Sequence, residues 1–307
     1  MASRTLDSSP SILPLYVRAA APMIPGASLL PFVPGRGGEI PDLDLELNGV
    51  EADPAAVAAY AKICGFTLRS HLPPTYPHVL AFPLHMAVMA DGSFPLGAVG
   101  LVHIENRIEQ HRRIGLSEKI SIRVRPTELR PHPKGRTFSL LTEVSVSGQK
   151  AWEGVSTVLR RGGGEKARGP KQDGKPDAPE LPTSAEWRLG GDLGRRYAAV
   201  SGDRNPIHMH SLTAKPLGFP GAIAHGMWTK ARCLGALESR LPDAFVADVH
   251  FRKPILLPGR VEFASAAEGE EIAFAVRDAK QGTPHLDGRV VPLEAKQKAN
   301  TGRKNGQ

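Results

Sequence analysis

Apolar and polar residues alternate along several segments of this chain, as they do in strands that have one buried face. The first half contains four such segments: DLDLELNGV, LSEKISIRVRPTEL, RTFSLLTEVSVSG and QKAWEGVSTVLRR. The second half repeats the pattern in AFVADVHFRKPI, RVEFASAAEG, EIAFAVRDAK and HLDGRVVPL. Because short turns separate most of these segments, we predict successive antiparallel strands in each half.

Helical patterns precede the strands of both halves. DPAAVAAYAKICG begins with Asp53, an N-cap residue, and has proline at the first helical position. In the second half, GDLGRRYAAVSG predicts a short helix, and AHGMWTKARCLGALESR predicts a long apolar helix from His225 to Arg240. Its counterpart in the first half is predicted to begin at Pro83 and to end at Asp91, after about two turns. A shortened helix would leave a volume that an apolar group could fill.

The two halves can be aligned with each other. YAKICGF at Tyr60 matches YAAVSGD at Tyr197, and YPHVLAFP at Tyr76 matches FPGAIAHG at Phe219. The interval between the matched segments is 16 residues in the first half and 22 in the second. We interpret this as the duplication of one structural unit, in which the second copy contains an additional polar loop.

That polar loop contains SGDRNPIHMH. By itself, Asp203 before Asn-Pro is a good turn former, because its carboxylate binds nearby N–H groups and proline fixes φ. The first copy, however, has Phe66 where Asp203 stands and Phe82 where His225 stands. If the polar residues served only the fold, the first copy would need them too. We therefore favour a functional site containing Asp203 and His208 over a turn alone.

Charge and composition restrict the classes of function. The net charge of +8 comes from two low-complexity segments, residues 160–175 and 295–307, each of which carries +4. Neither segment contains aromatic residues, so we expect weak surface association at most and no nucleic-acid site. RRGGGEKARGPKQDGKPDAPELP is predicted to be a flexible linker between the halves.

Cysteine content and hydropathy indicate the cellular compartment in which the protein is expected. Cys64 and Cys233 are the only cysteines, and they provide neither a disulfide framework nor a metal-binding spacing. The most apolar run, AAAPMIPGASLLPFVPG from residue 19, is interrupted by four prolines. We therefore predict no signal peptide and no membrane span, and we expect a cytoplasmic protein.

YAAVSGDRNPIH, followed by AHGM, resembles the hydratase signature of the MaoC-like (R)-specific enoyl-thioester hydratase and 3-hydroxyacyl-thioester dehydratase family. Residues 46–292 resemble the double-hotdog members of actinobacterial type. The resemblance implies an α+β double-hotdog fold, in which each repeat is a long helix wrapped by a curved antiparallel sheet. It predicts an N-terminal extension (1–45), a degenerate hotdog (46–161), a linker (162–183), a catalytic hotdog (184–292) and a basic tail (293–307).

The resemblance also implies roles for individual residues. It places Asp203 and His208 at the catalytic acid/base pair and Asn205 at an amide that orders the loop. Gly226 corresponds to the residue whose backbone N–H meets the thioester carbonyl. His225, just before the helix, is expected to cap or pack the helix or to contact substrate.

The implied reaction is that of a hydro-lyase, which interconverts (3R)-3-hydroxyacyl and trans-2-enoyl thioesters of CoA or acyl carrier protein in fatty-acid or mycolic-acid metabolism. Asp203 and His208 could hold one water between them, and donors at the start of the long helix would stabilise the enolate oxygen. This reaction calls for no metal or redox cofactor, and we expect none. His208 and His210 form a His-x-His pair, but no third metal ligand lies at a suitable spacing.

Two alternatives stay open: a hotdog acyl thioesterase and a non-catalytic subunit that binds acyl thioesters or a partner protein. The sequence leaves open the acyl chain length, the carrier, the direction, and whether the double hotdog is a monomer or a homodimer. Lys230 and Arg232 depart from the family pattern, because they are bulkier and more polar than a buried helix usually carries. They put in question how fully this helix is covered.

Overall fold

The alternating segments form strands in the computed structural model, which describes residues 3–20, 38–97, 100–127, 129–162 and 181–293. The predicted linker and basic tail, and the apolar run from residue 19, lie almost wholly outside the described residues. The strands are β1 (Ser3–Leu6), β2 (Asp44–Val50), β3 (Leu101–Gln110), β4 (Ile120–Pro126), β5 (Arg130–His132), β6 (Gly135–Val146), β7 (Gln149–Arg161), β8 (Thr183–Leu189), β9 (Phe245–Phe251), β10 (Gly259–Glu268), β11 (Glu271–Asp278) and β12 (Pro284–Pro292).

These strands belong to one sheet with the order β1-β2-β4-β6-β7-β3-β9-β12-β11-β10-β8, and β5 pairs with β6. All pairs are antiparallel except β1 with β2. The two halves meet where β3 pairs with β9, and the main hydrophobic core contains buried residues of both halves. The predicted antiparallel strands are thus confirmed, and the halves share a sheet.

Seven α-helices lie among the described residues, and none of them is long and apolar enough to cross a membrane. They are α1 (Ile12–Ala20), α2 (Pro54–Cys64), α3 (Tyr76–Met89), α4 (Leu193–Ser201), α5 (Pro206–Met209), α6 (Ser211–Ala214) and α7 (Gly226–Ala236).

The predicted lengths of the two main helices are wrong. Helix α3 has 14 residues and begins at Tyr76, with Pro83 in its interior. Proline removes only one helical hydrogen bond, to the carbonyl of Val79, and the burial of the apolar side chains of α3 on the sheet offsets this cost. Helix α7 has 11 residues and ends at Ala236, before a 3₁₀ turn at 238–240. The first half therefore does not contain a shortened helix.

The proposed duplication is visible at the ends of two matched helices. Gly65 ends α2 with φ of 77°, and Gly202 ends α4 with φ of 75°. Both values lie in the left-handed region, which glycine adopts without strain. Tyr60 and Tyr197 occupy matching positions in these helices, and their ring centroids lie 6.1 Å apart.

Helix α7 is covered despite its charged residues. Lys230 is fully buried, and its Nζ donates to the backbone oxygens of Asn106 and Ala247 and to Oδ1 of Asn106. These acceptors lie on β3 and β9, so Lys230 binds both strands where the halves meet. The guanidinium of Arg232 lies 4.6 Å from the ring centroid of Trp187, a cation–π contact.

Candidate active site

Asp203 forms a turn at the end of α4 and also presents an oxygen to the cavity. Its N–H donates to Oγ of Ser201 at 3.2 Å, and its Oδ1 accepts the backbone N–H of Asn205 at 3.1 Å. These bonds order the loop between α4 and α5. The Asn205 bond occupies Oδ1, and Oδ2 lies on the side of His225, whose Nε2 is 3.9 Å away. The turn and the site thus use the same carboxylate.

His208 lies on α5 with its side chain buried. Its Nδ1 is 2.8 Å from the backbone oxygen of Ile223. Because a carbonyl oxygen only accepts, Nδ1 carries the proton and the neutral ring has its lone pair on Nε2. Burial lowers the pKa of His208, although the charge of Asp203 and the bond to Ile223 oppose this effect. At neutral pH His208 is therefore an unprotonated base.

His225 stacks on His208 directly before α7. The ring centroids are 3.7 Å apart and the planes are inclined by 23°. Nε2 of His225 donates to the backbone oxygen of Asp203 at 3.0 Å, and its buried Nδ1 has no hydrogen-bond partner. Burial lowers the pKa of His225 to about 3, with a further lowering by His208. His225 makes no capping bond to α7 through its side chain.

The pKa of Asp203 is lowered by its neighbours. Burial acts to raise it, but His225 and His208, the N–H of Asn205 and the hydroxyl of Tyr16 together outweigh burial. Asp203 is therefore a carboxylate at neutral pH. Tyr16 was not singled out in the sequence, because it belongs to no motif and lies 187 residues before Asp203.

Gly226 is the first residue of α7, beside the cavity. The N–H groups of a first helical turn have no partner within the helix, and the helix dipole adds partial positive charge there. A Cβ on Gly226 would lie 3.1 Å from the ring of Phe251, so the close packing favours glycine. The side-chain Oδ1 of Asn205 is buried without a partner, so its loop-ordering role stays a prediction.

A cavity of about 750 Å³ connects these residues with the first half of the chain. It runs along α3, and Phe82, the counterpart of His225 in the first copy, lines it. The predicted volume is thus present, although it does not come from a shortened helix. Further apolar residues that line it in the first half are Met86, Met89, Leu101, Phe138 and Leu140.

Asp203, His208 and His225 also contain the donor types of a metal site, since one ligand atom from each lies within 4.8 Å of the others. The Nε2 of His225, however, uses its proton in the bond to the Asp203 backbone oxygen. Without breaking that bond, His225 could offer a metal only its Nδ1, which has no hydrogen-bond partner. His210 is exposed and does not join the group.

Comparison with known families assigns the chain and its fold to one class. A model of the MaoC-like domain matches residues 170–288. The chain belongs to the MaoC-like dehydratase family, and its fold is the predicted α+β double hotdog.

The relatives include one that matches nearly the whole chain. 3-Hydroxyacyl-thioester dehydratase X of Mycobacterium tuberculosis is 39% identical over 290 residues, which are 93% of this chain and 100% of that protein. The crystal structure of HtdX from the same organism superposes with a TM-score of 0.73 at 38% identity, covering 81% of this chain and 100% of that one. A MaoC-like dehydratase from Phytophthora capsici shares the fold, with a TM-score of 0.67 at 19% identity over 83% of this chain and 96% of its own.

Proposed function

We propose that this protein is a hydro-lyase that interconverts (3R)-3-hydroxyacyl thioesters and trans-2-enoyl thioesters. The observation that carries the proposal is the pairing, in the cavity wall, of an ionised carboxylate on Asp203 with the unprotonated Nε2 of His208. Two acceptors of this kind bind and activate one water. The family membership and the name of the Mycobacterium tuberculosis relative support this reaction over others on the same fold.

In the hydration direction, water lies between Oδ2 of Asp203 and Nε2 of His208. One ligand atom of each residue lies within 4.8 Å of the other, so the two side chains are close enough for one water to bridge them through two hydrogen bonds of about 2.8 Å. His208 removes one proton as the water oxygen forms a bond to C3. The π electrons of C2–C3 move towards the thioester oxygen, giving an enolate. The imidazolium, stabilised by Asp203, then delivers the same proton to C2, and the enolate electrons form the C2–H bond.

Charge on the thioester oxygen requires donors that are already in place. The first backbone N–H groups of α7, beginning at Gly226, supply them, and the helix dipole contributes in the same sense. The dehydration of a 3-hydroxyacyl thioester uses the same groups in reverse, with His208 removing the C2 proton and returning it to the departing hydroxide.

The acyl chain is proposed to occupy the part of the cavity that follows α3. Phe82, Met86 and Met89 line this part from the helix, and Phe138 and Leu140 line it from β6. The helix rises about 16 Å between residues 78 and 89, at 1.5 Å per residue. This length accommodates a medium or long acyl chain.

The thiol carrier is proposed to bind at the exposed, positively charged part of the cavity lining. Four exposed cationic side chains lie there: Arg130, Lys134, Arg161 and Lys253. Phosphopantetheine, which CoA and acyl carrier protein share, contains phosphate that such cations attract. Assays with the same acyl group on CoA and on acyl carrier protein show which thiol carrier the enzyme uses.

The assay follows the loss of enoyl-thioester absorbance with crotonyl-CoA and 2-dodecenoyl-CoA, with free thiol measured in parallel. We expect absorbance loss without thiol release. Asp203→Asn and His208→Asn should reduce turnover by about 10²-fold or more while the fold persists. Asp192→Asn and His210→Asn are matched controls, because both residues are exposed and lie outside the cavity lining.

Other outcomes identify the alternatives. Thiol release would establish a thioesterase, whereas substrate binding without either signal would indicate a non-catalytic subunit. An Asp203→Asn variant within tenfold of the wild type would overturn the assignment of Asp203.

The proposed site does not need a second chain, because Tyr16, Asp203, His208 and Gly226 all belong to one. We therefore propose that the monomer is active and that a homodimer, if it forms, adds no catalytic group. Activity per subunit should not change when the protein is diluted below the concentration at which a dimer dissociates.

We further propose that the reaction serves fatty-acid metabolism in the cytoplasm.

A further inference from the structure

The N-terminal extension reaches the candidate active site. Strand β1 pairs in parallel with β2, with Ser3 opposite Asp44, and helix α1 lies against α3. Ile12 of α1 packs so close to Gly202 that a Cβ on that glycine would lie 2.7 Å from Ile12 Cδ1. Ala19, near the end of α1, is buried in the main core. These contacts hold α1 over the loop that contains Asp203.

Tyr16, in the middle of α1, makes two hydrogen bonds to this loop. Its hydroxyl donates to Oδ1 of Asp203 at 3.2 Å and accepts the backbone N–H of Arg204 at 2.6 Å. Because the N–H of Arg204 occupies a lone pair of the hydroxyl, the proton is directed towards the carboxylate. Burial, followed by the charge of Asp203, raises the pKa of Tyr16, so the hydroxyl is a protonated donor at neutral pH.

The bond from Tyr16 completes the coordination of one carboxylate oxygen. Oδ1 of Asp203 then accepts two donors, the Tyr16 hydroxyl and the Asn205 N–H. A carboxylate bound in this way cannot rotate about its last torsion without losing both bonds. Oδ2 is thereby held towards the stacked rings of His208 and His225.

We propose that Tyr16 is a positioning residue of the active site, which holds the Asp203 carboxylate in the orientation that binds the reacting water. This inference rests on the proposed function of Asp203. It gives the N-terminal extension a role in the reaction that none of its own sequence patterns indicates.

The test compares Tyr16→Phe with the wild type over a range of pH. Loss of a hydrogen bond to a charged group should lower kcat about tenfold or more, with little change in KM, because Tyr16 does not act on the substrate directly. The Tyr16 bond also helps to keep the pKa of Asp203 low. Its removal should therefore raise the pKa of Asp203, which appears in the acid limb of kcat/KM as a second titration beside that of His208.

One control variant isolates the hydroxyl. Tyr60→Phe removes another buried hydroxyl, which donates to Thr75 at 2.8 Å rather than to Asp203. If Tyr16→Phe changes kcat and the pH profile no more than Tyr60→Phe does, the positioning role is overturned.

A measurement without substrate separates this inference from the proposed function. Carboxyl ¹³C NMR of Asp203 should show a higher pKa in Tyr16→Phe than in the wild type and in Tyr60→Phe. An unchanged pKa would overturn the positioning role even in an active enzyme. If the pKa of Asp203 is raised in Tyr16→Phe but the wild type shows no hydratase activity, the interaction between Tyr16 and Asp203 is supported and the proposed reaction is refuted.

Discussion

Nδ1 of His208 lies 2.8 Å from the backbone oxygen of Ile223, and this contact determines which nitrogen of the ring can act as a base. The carbonyl requires the proton on Nδ1 and leaves Nε2 free for water. The contact also fixes the ring plane against His225. A residue in the connection before α7 therefore sets the tautomer of a side chain on α5.

The tautomer and the lowered pKa values predict the pH dependence of activity. Both Asp203 and His208 must be unprotonated, and the pKa of each is lowered from its ordinary value of 3.8 or 6.5. We expect kcat/KM for crotonyl-CoA to be constant near pH 7 and to fall only below pH 6.5. ¹⁵N NMR should show His208 neutral at pH 7 with its proton on Nδ1. An acid limb centred above pH 6.5 would contradict this assignment.

Adding a methyl group at the start of α7 tests the proposed oxyanion donors. The Cβ of Gly226→Ala would approach the Phe251 ring at 3.1 Å, so the ring or the helix start must shift. We expect a loss of about tenfold or more in kcat with a small change in stability. Gly191→Ala is the control, since its Cβ would meet only Pro258, at 3.7 Å. Equal activity of the two variants would argue against donors at Gly226.

The cavity along α3 predicts which substrates a blocking residue affects. Met89→Trp places a larger side chain at the far end of α3, in the cavity lining. We expect the rate with 2-dodecenoyl-CoA to fall about tenfold or more while the rate with crotonyl-CoA persists, because only the longer chain reaches that end. Leu212→Trp is the control, at a position that is 81% exposed. A proportional loss with both substrates would place the acyl chain elsewhere.

Metal dependence can be tested directly at the Asp203–His208–His225 group. Because the proposed mechanism moves its proton through His208 alone, we expect that dialysis against EDTA leaves kcat unchanged. Added Zn²⁺ should inhibit in competition with substrate, since the group contains ligand types that zinc prefers. Loss of activity on chelation and its recovery with one divalent metal would refute the expectation that no metal is needed.

The buried Lys230 predicts unequal effects of two substitutions on the free energy of unfolding. Asn106→Leu leaves the buried ammonium with only two carbonyl acceptors, and we expect a loss of about 3 kcal/mol. Lys230→Met removes the charge together with the donor but leaves Oδ1 of Asn106 unpaired, so we expect a smaller loss of about 2 kcal/mol. The double variant should lose less than the sum of the two. Urea unfolding measures all three, and additive losses would show that the pair does not interact.

Much of this fold follows from local pattern. The strands alternate because one face of the sheet is buried, and this period is visible in any strand segment. The matching ends of α2 and α4 are equally local, because Gly65 and Gly202 adopt left-handed φ values at the same place in both copies. The predicted start of α3 was wrong because Pro83 was interpreted as the first residue of the helix, whereas it lies in the helix interior. Burial of the whole of α3 on the sheet outweighs one missing hydrogen bond.

The candidate site also has features that follow from local sequence and features that depend on the tertiary structure. Asp203, Asn205 and His208 lie within six residues, so the sequence by itself determined that a carboxylate and an imidazole share one loop. The tertiary structure alone decided that Oδ1 receives a hydroxyl from Tyr16 and that His208 keeps its proton on Nδ1. Both features depend on hydrogen bonds between segments that lie far apart in the chain, and the spacing of residues within a motif contains no information about such contacts.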